Sequence, residues 1–350
     1  MPAGIASIMV RRLATALVAG AAACVLTTLP APALAADEAS AAAAPVTLIL
    51  PTEAGGSADR IGRIVERALQ RALNAPVVIR RMPGVEGIVG TNALASAPRD
   101  GSTIGLGLST PMVGARLLSS LDQYNPIDDF DWLAMLGTYP VALVVRSDGE
   151  PPSFARWLEA ARAAPRPLRY GTYTSASSSH IAGEFLHQDQ KANIEQVALP
   201  VTRIMPMLAA GEIDFAMVGL PSALAITGTP RARPTRVIAV SSATRSRLLP
   251  NVPAFGETWP GREFLLWVAI VAPSHLPAGP RARLASAVGA MLSDRTFIAE
   301  LEAEGMTWLG LSGADATRYV RDDILKQAND IAAYAIQRID PPDKGGPPRP

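Results

Sequence analysis

The first clear pattern of hydrophobic and polar positions runs from residue 46 to residue 73. Val46 to Leu50 is a short continuous apolar run, which is typical of a strand buried on both faces. Apolar residues then recur at helical spacing from Ile61 to Leu73, and the other side of this helix carries Arg60, Arg63, Arg67 and Arg71. The pattern predicts an amphipathic helix with Ser57 as its N-cap and Asp59 in its first turn.

Two more strands and a second helix complete a βαβαβ pattern. A strand is predicted at Val77–Ile79, a loop begins at Pro83-Gly84, and a helix is predicted from Ile88 to Ala97. After a turn at residues 98–101, a third strand is predicted around Thr103–Leu108. This order is typical of a parallel sheet with helices on both faces.

A second α/β unit is predicted after residue 140. Its elements are strands at Val141–Val145, Leu168–Tyr170, Ile213–Val218 and Val237–Val240, with helices at Phe154–Ala164 and Ser179–Gln188. The long apolar strand Phe264–Ala272 is expected to carry the chain back to the first unit. Three helices close the fold, at Ala282–Leu292, Thr296–Ala303 and Ala314–Ile336.

The first 35 residues have the composition of an export signal. Arg11 and Arg12 precede an apolar stretch from Leu13 to Leu29, and the small residues Ala33-Leu34-Ala35 follow. This order predicts a secretory signal peptide cleaved after about Ala35. An uncleaved anchor and lipidation at Cys24 are the alternatives, and the arginine pair leaves Sec and twin-arginine export both open. Residues 36–45 are predicted to be a flexible lead-in and residues 341–350 a disordered tail.

Charge and cysteine content exclude several classes of protein. The chain has 32 basic and 31 acidic residues, and removing Arg11 and Arg12 leaves 30 against 31, with no basic block typical of nucleic-acid binding. The one cysteine, Cys24, lies in the predicted signal, so the exported chain has no disulfide or thiolate site. Beyond residue 35 there is no apolar run of membrane-spanning length. We expect a soluble protein outside the cytoplasm.

Few residues suggest catalysis or a bound cofactor. The three histidines, His180, His187 and His275, have no spacing typical of a metal site, so we expect neither metal nor cofactor. The G-G-S-A-D-R-I-G stretch from Gly55 is not a dinucleotide fingerprint, and no G-K-[ST] motif occurs.

Two loops rich in glycine or hydroxyl residues remain as candidate sites. Gly55-Gly56 brings the backbone amides of the first helix to the ends of the strands, where open parallel sheets bind ligands. In the second loop, GTYTSASSSH at residues 171–180, a serine and His180 could act as nucleophile and base, although no G-x-S-x-G elbow is present. The same hydroxyls and amides could instead bind an anion, or Ser178 or Ser179 could simply cap a helix.

A series of ordered motifs resembles the periplasmic receptors of tripartite tricarboxylate transporters, the Bug receptors. The family's first loop, P-F-P-A-G-G-x-x-D, corresponds to residues 51–59, and its P-G-x-x-G and A-P-x-D-G motifs to residues 83–87 and 97–101. Y-x-P-x-x-D-F, S-S-H-x-A-G-E and R-S-x-x-L-P-x-V-P match at residues 124–130, 178–184 and 245–253. The resemblance covers nearly all of residues 46–340.

The resemblance implies an α/β periplasmic binding protein of the two-domain "Venus flytrap" type. Domain 1 is then expected at residues 46–140 plus 263–340 and domain 2 at residues 141–262, closing on a ligand in the cleft between them. It further implies a carboxylate held by backbone amides and hydroxyls, and membrane transporter subunits as partners of a monomeric receptor. The implied ligand-binding residues are Thr52, Glu53, Ala54, Gly55, Gly56, Ser57, Asp59, Thr174, Ser175, Ala176, Ser177, Ser178, His180 and Thr202.

The sequence departs from the family pattern where the ligand is expected. Thr52 and Glu53 replace Phe-Pro, Glu86 stands where glycine is usual, Thr174 and Ala176 replace glycines, and LPVTR at residues 199–203 replaces P-Y-K-G. A carboxylate beside a carboxylate site disfavours dianions. We therefore hypothesise a ligand with an amine that Glu53 or Asp59 pairs with, a neutral ligand, or compensation by Arg203; alternatively, Glu53 points to solvent.

Three functions follow from these observations. The first is capture of a small organic acid or amino-acid-like metabolite for delivery to a transporter. The second is a sensory role, in which the closed receptor signals to a membrane sensor kinase. The third is a hydrolase that uses Ser178 and His180, which the sequence supports least; we expect no enzymatic activity.

Overall fold

The computed structural model describes residues 44–119, 124–147, 153–227 and 235–338. The predicted signal peptide, most of the lead-in and the C-terminal tail lie outside these residues. No helix in these ranges is both long and apolar enough to cross a membrane.

The described chain contains ten strands and eleven α-helices. The strands are β1 Val46–Leu50, β2 Val77–Arg81, β3 Thr103–Leu108, β4 Phe130–Arg146, β5 Leu168–Thr172, β6 Ile194–Ala198, β7 Phe215–Gly219, β8 Thr235–Val240, β9 Leu265–Pro273 and β10 Thr307–Leu311. The helices are α1 Ser57–Leu73, α2 Ile88–Ala95, α3 Ala115–Leu118, α4 Phe154–Arg162, α5 Ser178–Glu184, α6 Val201–Ala210, α7 Leu220–Thr227, α8 Phe255–Thr258, α9 Ala278–Leu292, α10 Arg295–Ala303 and α11 Gly313–Ala333.

The predicted βαβαβ unit is confirmed at the N-terminal end of the fold. β1 pairs in parallel with β2 on one side and with β3 on the other. The strand order continues as β2-β1-β3-β9-β4-β7-β5-β6, with β8 and β10 also paired to β4. β9 is antiparallel to both β3 and β4, so the return strand joins the first sheet as predicted.

The long strand β4 changes partners along its length. Its first part pairs with β9 as far as Pro140, and its second part, from Val141, pairs with β7 and β8. Only residues 141–145 were predicted as a strand, and the structure extends it back to Phe130. The change at residue 141 coincides with the predicted domain boundary, while the domain limits themselves stay a prediction.

The cores lie on both faces of the central strands. In β9, Val268 and Ile270 belong to one apolar cluster, whereas Trp267, Ala269 and Val271 belong to another. Because successive side chains of a strand point to opposite faces, this alternation buries β9 on both sides. β7 and the second part of β4 are divided between two further clusters in the same way.

The N-cap predicted for α1 is wrong. The cap residue is Gly56, and no side chain bonds the first amides of the helix. Ser57 is the first helical residue, and its hydroxyl lies 2.8 Å from the hydroxyl of Ser222 at the start of α7. Ser57 therefore joins two helix starts, and the first amides of α1 keep no side-chain cap.

Candidate ligand cavity

A cavity lies where several strands end and helices begin. It encloses about 720 Å³, counting the part that opens to solvent. The first loop contributes through the start of α1, and the other walls come from the ends of β3 and β7 and from β9. The lining residues are Pro51, Thr52, Gly56, Ser57, Ala58, Glu86, Leu108, Ser109, Thr110, Pro111, Tyr139, Tyr173, Ser177, Ser179, Val201, Ile204, Met217, Val218, Gly219, Ser222, Leu266 and Trp267.

The start of α1 forms part of the cavity wall. Gly56, Ser57 and Ala58 all line it, and α1 is a helix of seventeen residues. The first amides of a helix have no partner within the helix and carry the positive end of its dipole. This part of the wall is suited to an anionic group such as a carboxylate.

Four other first-loop residues, Glu53, Ala54, Gly55 and Asp59, lie outside the cavity lining. The Gly55 amide donates to Asp59 Oδ2 at 3.0 Å, so this amide is already used within the loop. Ala54 and Gly55 are exposed and border a separate surface depression together with Asp59. Glu53 is half-buried and is outside the lining, whereas its neighbour Thr52 is buried within it.

Asp59 is committed to an internal ion pair. Its side chain is 3% exposed and contacts Arg81 Nη2 at 2.6 Å and Arg63 Nε at 3.4 Å. Burial by itself would raise the Asp59 pKa, but the Gly55 amide and the Arg81 guanidinium outweigh it and hold the pKa below its usual range. Asp59 is therefore not free to pair with an amine on a ligand.

The second loop contributes two serines, Ser177 and Ser179, and the ring of Tyr173 to the lining. Its buried residues Thr174 and Ala176 instead stabilise the loop, since the Ala176 amide donates to Thr174 Oγ1 at 3.0 Å. Ser175 contacts Gln196 at 3.2 Å and is outside the lining.

Ser178 and His180 do not form a nucleophile–base pair. Ser178 Oγ donates to the carbonyl of Leu265 at 2.8 Å. His180 Nδ1 lies 2.7 Å from the carbonyl of Ser175, and its Nε2 lies 3.3 Å from Glu184 Oε1. Ser177, rather than Ser178 or Ser179, is the cap residue of α5, and its side chain makes no capping bond.

Helix α6 faces the cavity with apolar side chains. Val201 and Ile204 line it, while Thr202 and Arg203 are exposed and lie outside the lining. Thr202 lies beside the first loop, with its methyl group 4.0 Å from the position that a Cβ on Gly55 would occupy. Compensation of a ligand charge by Arg203 therefore has no support in this geometry.

The aromatic wall comes from residues that sequence reasoning missed. Tyr139 of β4, Tyr173 after β5 and Trp267 of β9 all line the cavity. Trp267 is held from behind, because its Nε1 donates to Asp323 Oδ2 at 2.7 Å. Burial, followed by the nearby carboxylates of Glu53 and Glu86, raises the pKa of Tyr173 to about 12. Ser109 and Ser222 come shortly after β3 and β7, so the predicted ends of these strands could have pointed to them. Which residues at the strand ends lie together is visible only in the folded structure.

Glu86 is the unusual residue of the cavity. It lies in a one-turn helix at Val85–Gly87 with φ of 59°, and Val85 before it has φ of 42°. Left-handed backbone costs on the order of 1–3 kcal/mol for a residue other than glycine, which explains why glycine suits this position. No hydrogen bond or ion pair joins the Glu86 carboxylate to another described residue. Burial raises its pKa to about 7, although His180 works against the rise.

We predict that Glu86→Gln raises the free energy of unfolding above neutral pH. A carboxyl group whose pKa is raised on folding makes the native state lose stability as the pH rises from the ordinary value of 4.5 through about 7. The variant should therefore match the wild type near pH 4 and exceed it by about 1–2 kcal/mol at pH 8, allowing for partial solvation. Urea unfolding at pH 4 and pH 8 measures the difference in stability between variant and wild type. An equal difference at the two pH values would contradict a raised pKa for Glu86.

Comparison with known proteins shows that the chain is similar to a family of receptors. Residues 61–336 match the family described as "Tripartite tricarboxylate transporter family receptor". The UPF0065 protein in the tcbD-tcbE intergenic region of Pseudomonas sp. (strain P51) is 29% identical over 287 residues, or 81% of this chain and 82% of the relative.

Solved structures have the same fold. The R. palustris protein Rpa4515 with adipate has a TM-score of 0.78 at 25% identity, covering 84% of this chain and 98% of that chain. The periplasmic binding protein BugD has a TM-score of 0.75 at 22% identity, covering 84% and 99%. These similarities confirm the predicted α/β fold of a periplasmic binding protein.

Proposed function

The chain belongs to the tripartite tricarboxylate transporter receptor family, and we propose that it captures a small organic acid or amino-acid-like metabolite for delivery to the membrane subunits of such a transporter. The family and the similar structures are solute-binding proteins rather than enzymes. This agrees with the separate hydrogen bonds of Ser178 and His180, which argue against the hydrolase.

The observation that carries this proposal is the meeting of the α1 start with an aromatic cavity. Amides of Gly56, Ser57 and Ala58 favour a carboxylate, and the rings of Tyr173 and Trp267 provide apolar contact for the carbon chain. The similar R. palustris protein was solved with adipate, a small dicarboxylate, which supports an organic acid as the ligand class.

The same proposal includes the location and assembly of the protein. We infer export to the periplasm with cleavage after about Ala35, and a monomeric receptor that contacts the transporter when it carries ligand. The sequence of the first 35 residues and the family of the remaining chain support this location.

We expect a thermal-shift screen of the exported protein to find its ligand among carboxylates, amino acids, amides and aromatic acids. A ligand at 1,000 times its dissociation constant adds roughly 4 kcal/mol to the native state. The melting temperature should then rise by roughly 6 °C for a chain of this size. No response to any acid at millimolar concentration would reject the proposal.

A pair of variants locates the binding. Gly56→Val should abolish the shift, because even a Cβ at Gly56 would lie 3.3 Å from Val201 Cγ2 at the cavity wall. Gly279→Ala in α9 is the control, since a Cβ there meets nothing within 4 Å, and it should respond like the wild type. An undiminished shift in Gly56→Val would mean that the ligand binds elsewhere.

A further inference from the structure

The charge of the cavity lining is concentrated in one residue. Among the described residues that line it, Glu86 alone carries an ionisable acid or base other than the phenols Tyr139 and Tyr173. The remaining lining residues are apolar, glycine or hydroxyl residues. A dicarboxylate in this cavity would therefore meet a carboxylate without a compensating arginine or lysine from the described lining.

The charged and titratable groups around Glu86 leave its carboxylate without a direct partner. His180 of α5 acts on it electrostatically, but both nitrogens of that imidazole are already used, by the Ser175 carbonyl and by Glu184. Tyr173, after β5, is close enough to both Glu86 and Glu53 for their charges to raise its pKa. Glu53, after β1, adds negative charge on this side, so the local potential favours a cation.

The backbone holds Glu86 in this place at a cost. Gly84, Val85, Glu86 and Gly87 all have positive φ, between 42° and 119°. Gly87 packs closely against Pro51, which follows β1, since a Cβ there would lie 2.8 Å from the Pro51 carbonyl oxygen. A strained residue persists only where the surrounding structure fixes it, and such residues concentrate at ligand sites.

We propose that Glu86 determines ligand specificity by pairing with a positively charged nitrogen, so that the receptor selects a zwitterionic amino acid or amine-bearing acid over a plain dicarboxylate. This rests on the proposed function, in which the α1 amides take the carboxylate of the same ligand. The acidic residue that pairs with the ligand is then Glu86, and not Glu53 or Asp59, which the sequence favoured.

The physical basis is a difference between two ligands of equal length. The second carboxylate of a diacid meets Glu86 with like charge unless one of the two takes up a proton. An ammonium group supplies the partner that the carboxylate lacks, and such charge-assisted hydrogen bonds are among the stronger ones. Since burial raises the pKa of Glu86 to about 7, binding an ammonium ligand should release a proton near neutral pH.

The test uses matched probes and isothermal titration calorimetry on the exported protein. Succinate is compared with 4-aminobutanoate, and adipate with 6-aminohexanoate, because each pair differs in one terminal group. For at least one pair, the wild type should bind the amino acid at least tenfold more tightly than the diacid. Its affinity should also rise by about tenfold between pH 6 and pH 8, as Glu86 becomes ionised.

Two variants of Glu86 should remove this preference. Glu86→Gln keeps the shape but not the charge, and Glu86→Gly also relieves the positive φ; both should lose at least tenfold for the amino acid and the pH dependence with it. Glu159→Gln, on the exposed surface of α4, is the charge-matched control and should behave like the wild type. Melting temperatures at pH 4 that are no lower than that of the wild type establish that the variants fold.

The outcomes separate this inference from the function on which it rests. If the wild type binds dicarboxylates as tightly as amino acids, and Glu86→Gln leaves this binding unaltered, the role of Glu86 is overturned. The receptor function then still stands. A preference that moves in Glu53→Gln instead of Glu86→Gln also overturns it. Failure of the wild type and of Glu86→Gln to bind any organic acid rejects the receptor function and this inference together.

Discussion

Replacing Gly114 with alanine is expected to lower the free energy of unfolding by about 3 kcal/mol and to abolish ligand binding. A Cβ on Gly114 would lie 1.9 Å from the carbonyl oxygen of Ala176, and 3.0 Å from its carbonyl carbon. Both groups are backbone, so no side-chain rotation relieves the contact. Gly114 has helical φ of −59°, so the cost is steric rather than conformational.

The expected loss of binding follows from what Gly114 touches. It ends the π-helical segment Thr110–Gly114, which begins at the cavity, and Ala176 precedes the cavity residue Ser177. Pushing these segments apart displaces two walls at once. Urea unfolding measures the stability, and calorimetry with the ligand found for the wild type measures the binding.

A glycine elsewhere provides the matched control for this substitution. A Cβ on Gly289, in the interior of α9, would meet nothing within 4 Å. Gly289→Ala should therefore raise the free energy of unfolding by about 0.5–1 kcal/mol, as alanine does in an open helical position. If Gly114→Ala were as stable as Gly289→Ala, the close approach of the two segments would be refuted.

Periodicity located the first unit of the fold well. The strands β1 and β3 have their predicted bounds, and α1 ends at Leu73 as predicted, because continuous apolar runs and helical spacing act locally. The cap of α1 could not be predicted in this way. Ser57 has the chemistry of an N-cap, but Ser222 is 165 residues away in the chain and takes its hydroxyl.

The sequence pattern missed the first part of β4 and helix α6, because each contains residues that disfavour the structure it adopts. Gly137 and Pro140 interrupt the first part of β4, and the strand forms because β9 pairs along it with two register shifts. α6 contains Pro206 in its interior, which a sequence pattern would count against a helix. In both places long-range packing outweighs local preference.

The sequence predicted which loops contribute to the candidate site, but not which of their residues line the cavity. Gly56, Ser57, Ser177 and Thr52 line the cavity, whereas Asp59 and His180 of the same loops point to other partners. Glu86 was noticed as a departure from glycine, but its place in the lining depends on how the loop after β2 packs against Pro51. Which member of a polar loop faces a ligand is decided by tertiary contacts.

The second large effect is expected at Asp59, which fixes the shape of the first loop. Its carboxylate holds the Gly55 amide on one side and Arg81 of β2 on the other. Removing one partner of a buried ion pair leaves the other unpaired at a cost of roughly 3–5 kcal/mol, and the 30% exposure of Arg81 moderates this. We expect Asp59→Ala to lower the free energy of unfolding by about 2–3 kcal/mol at pH 7.

The pH dependence identifies this loss as electrostatic. Because folding lowers the pKa of Asp59, its contribution is complete above the unfolded value, about 3.8, and is lost as the pH falls through the lower folded value. The gap between wild type and Asp59→Asn should thus be full at pH 7 and shrink below pH 4, opposite in direction to the gap at Glu86. Urea unfolding of Asp59→Asn, Arg81→Gln and the double variant measures the coupling energy between the two side chains. If they form one ion pair, the double variant should lose less stability than the sum of the losses in the two single variants. Fully additive losses would show that Asp59 acts through the Gly55 amide and not through Arg81.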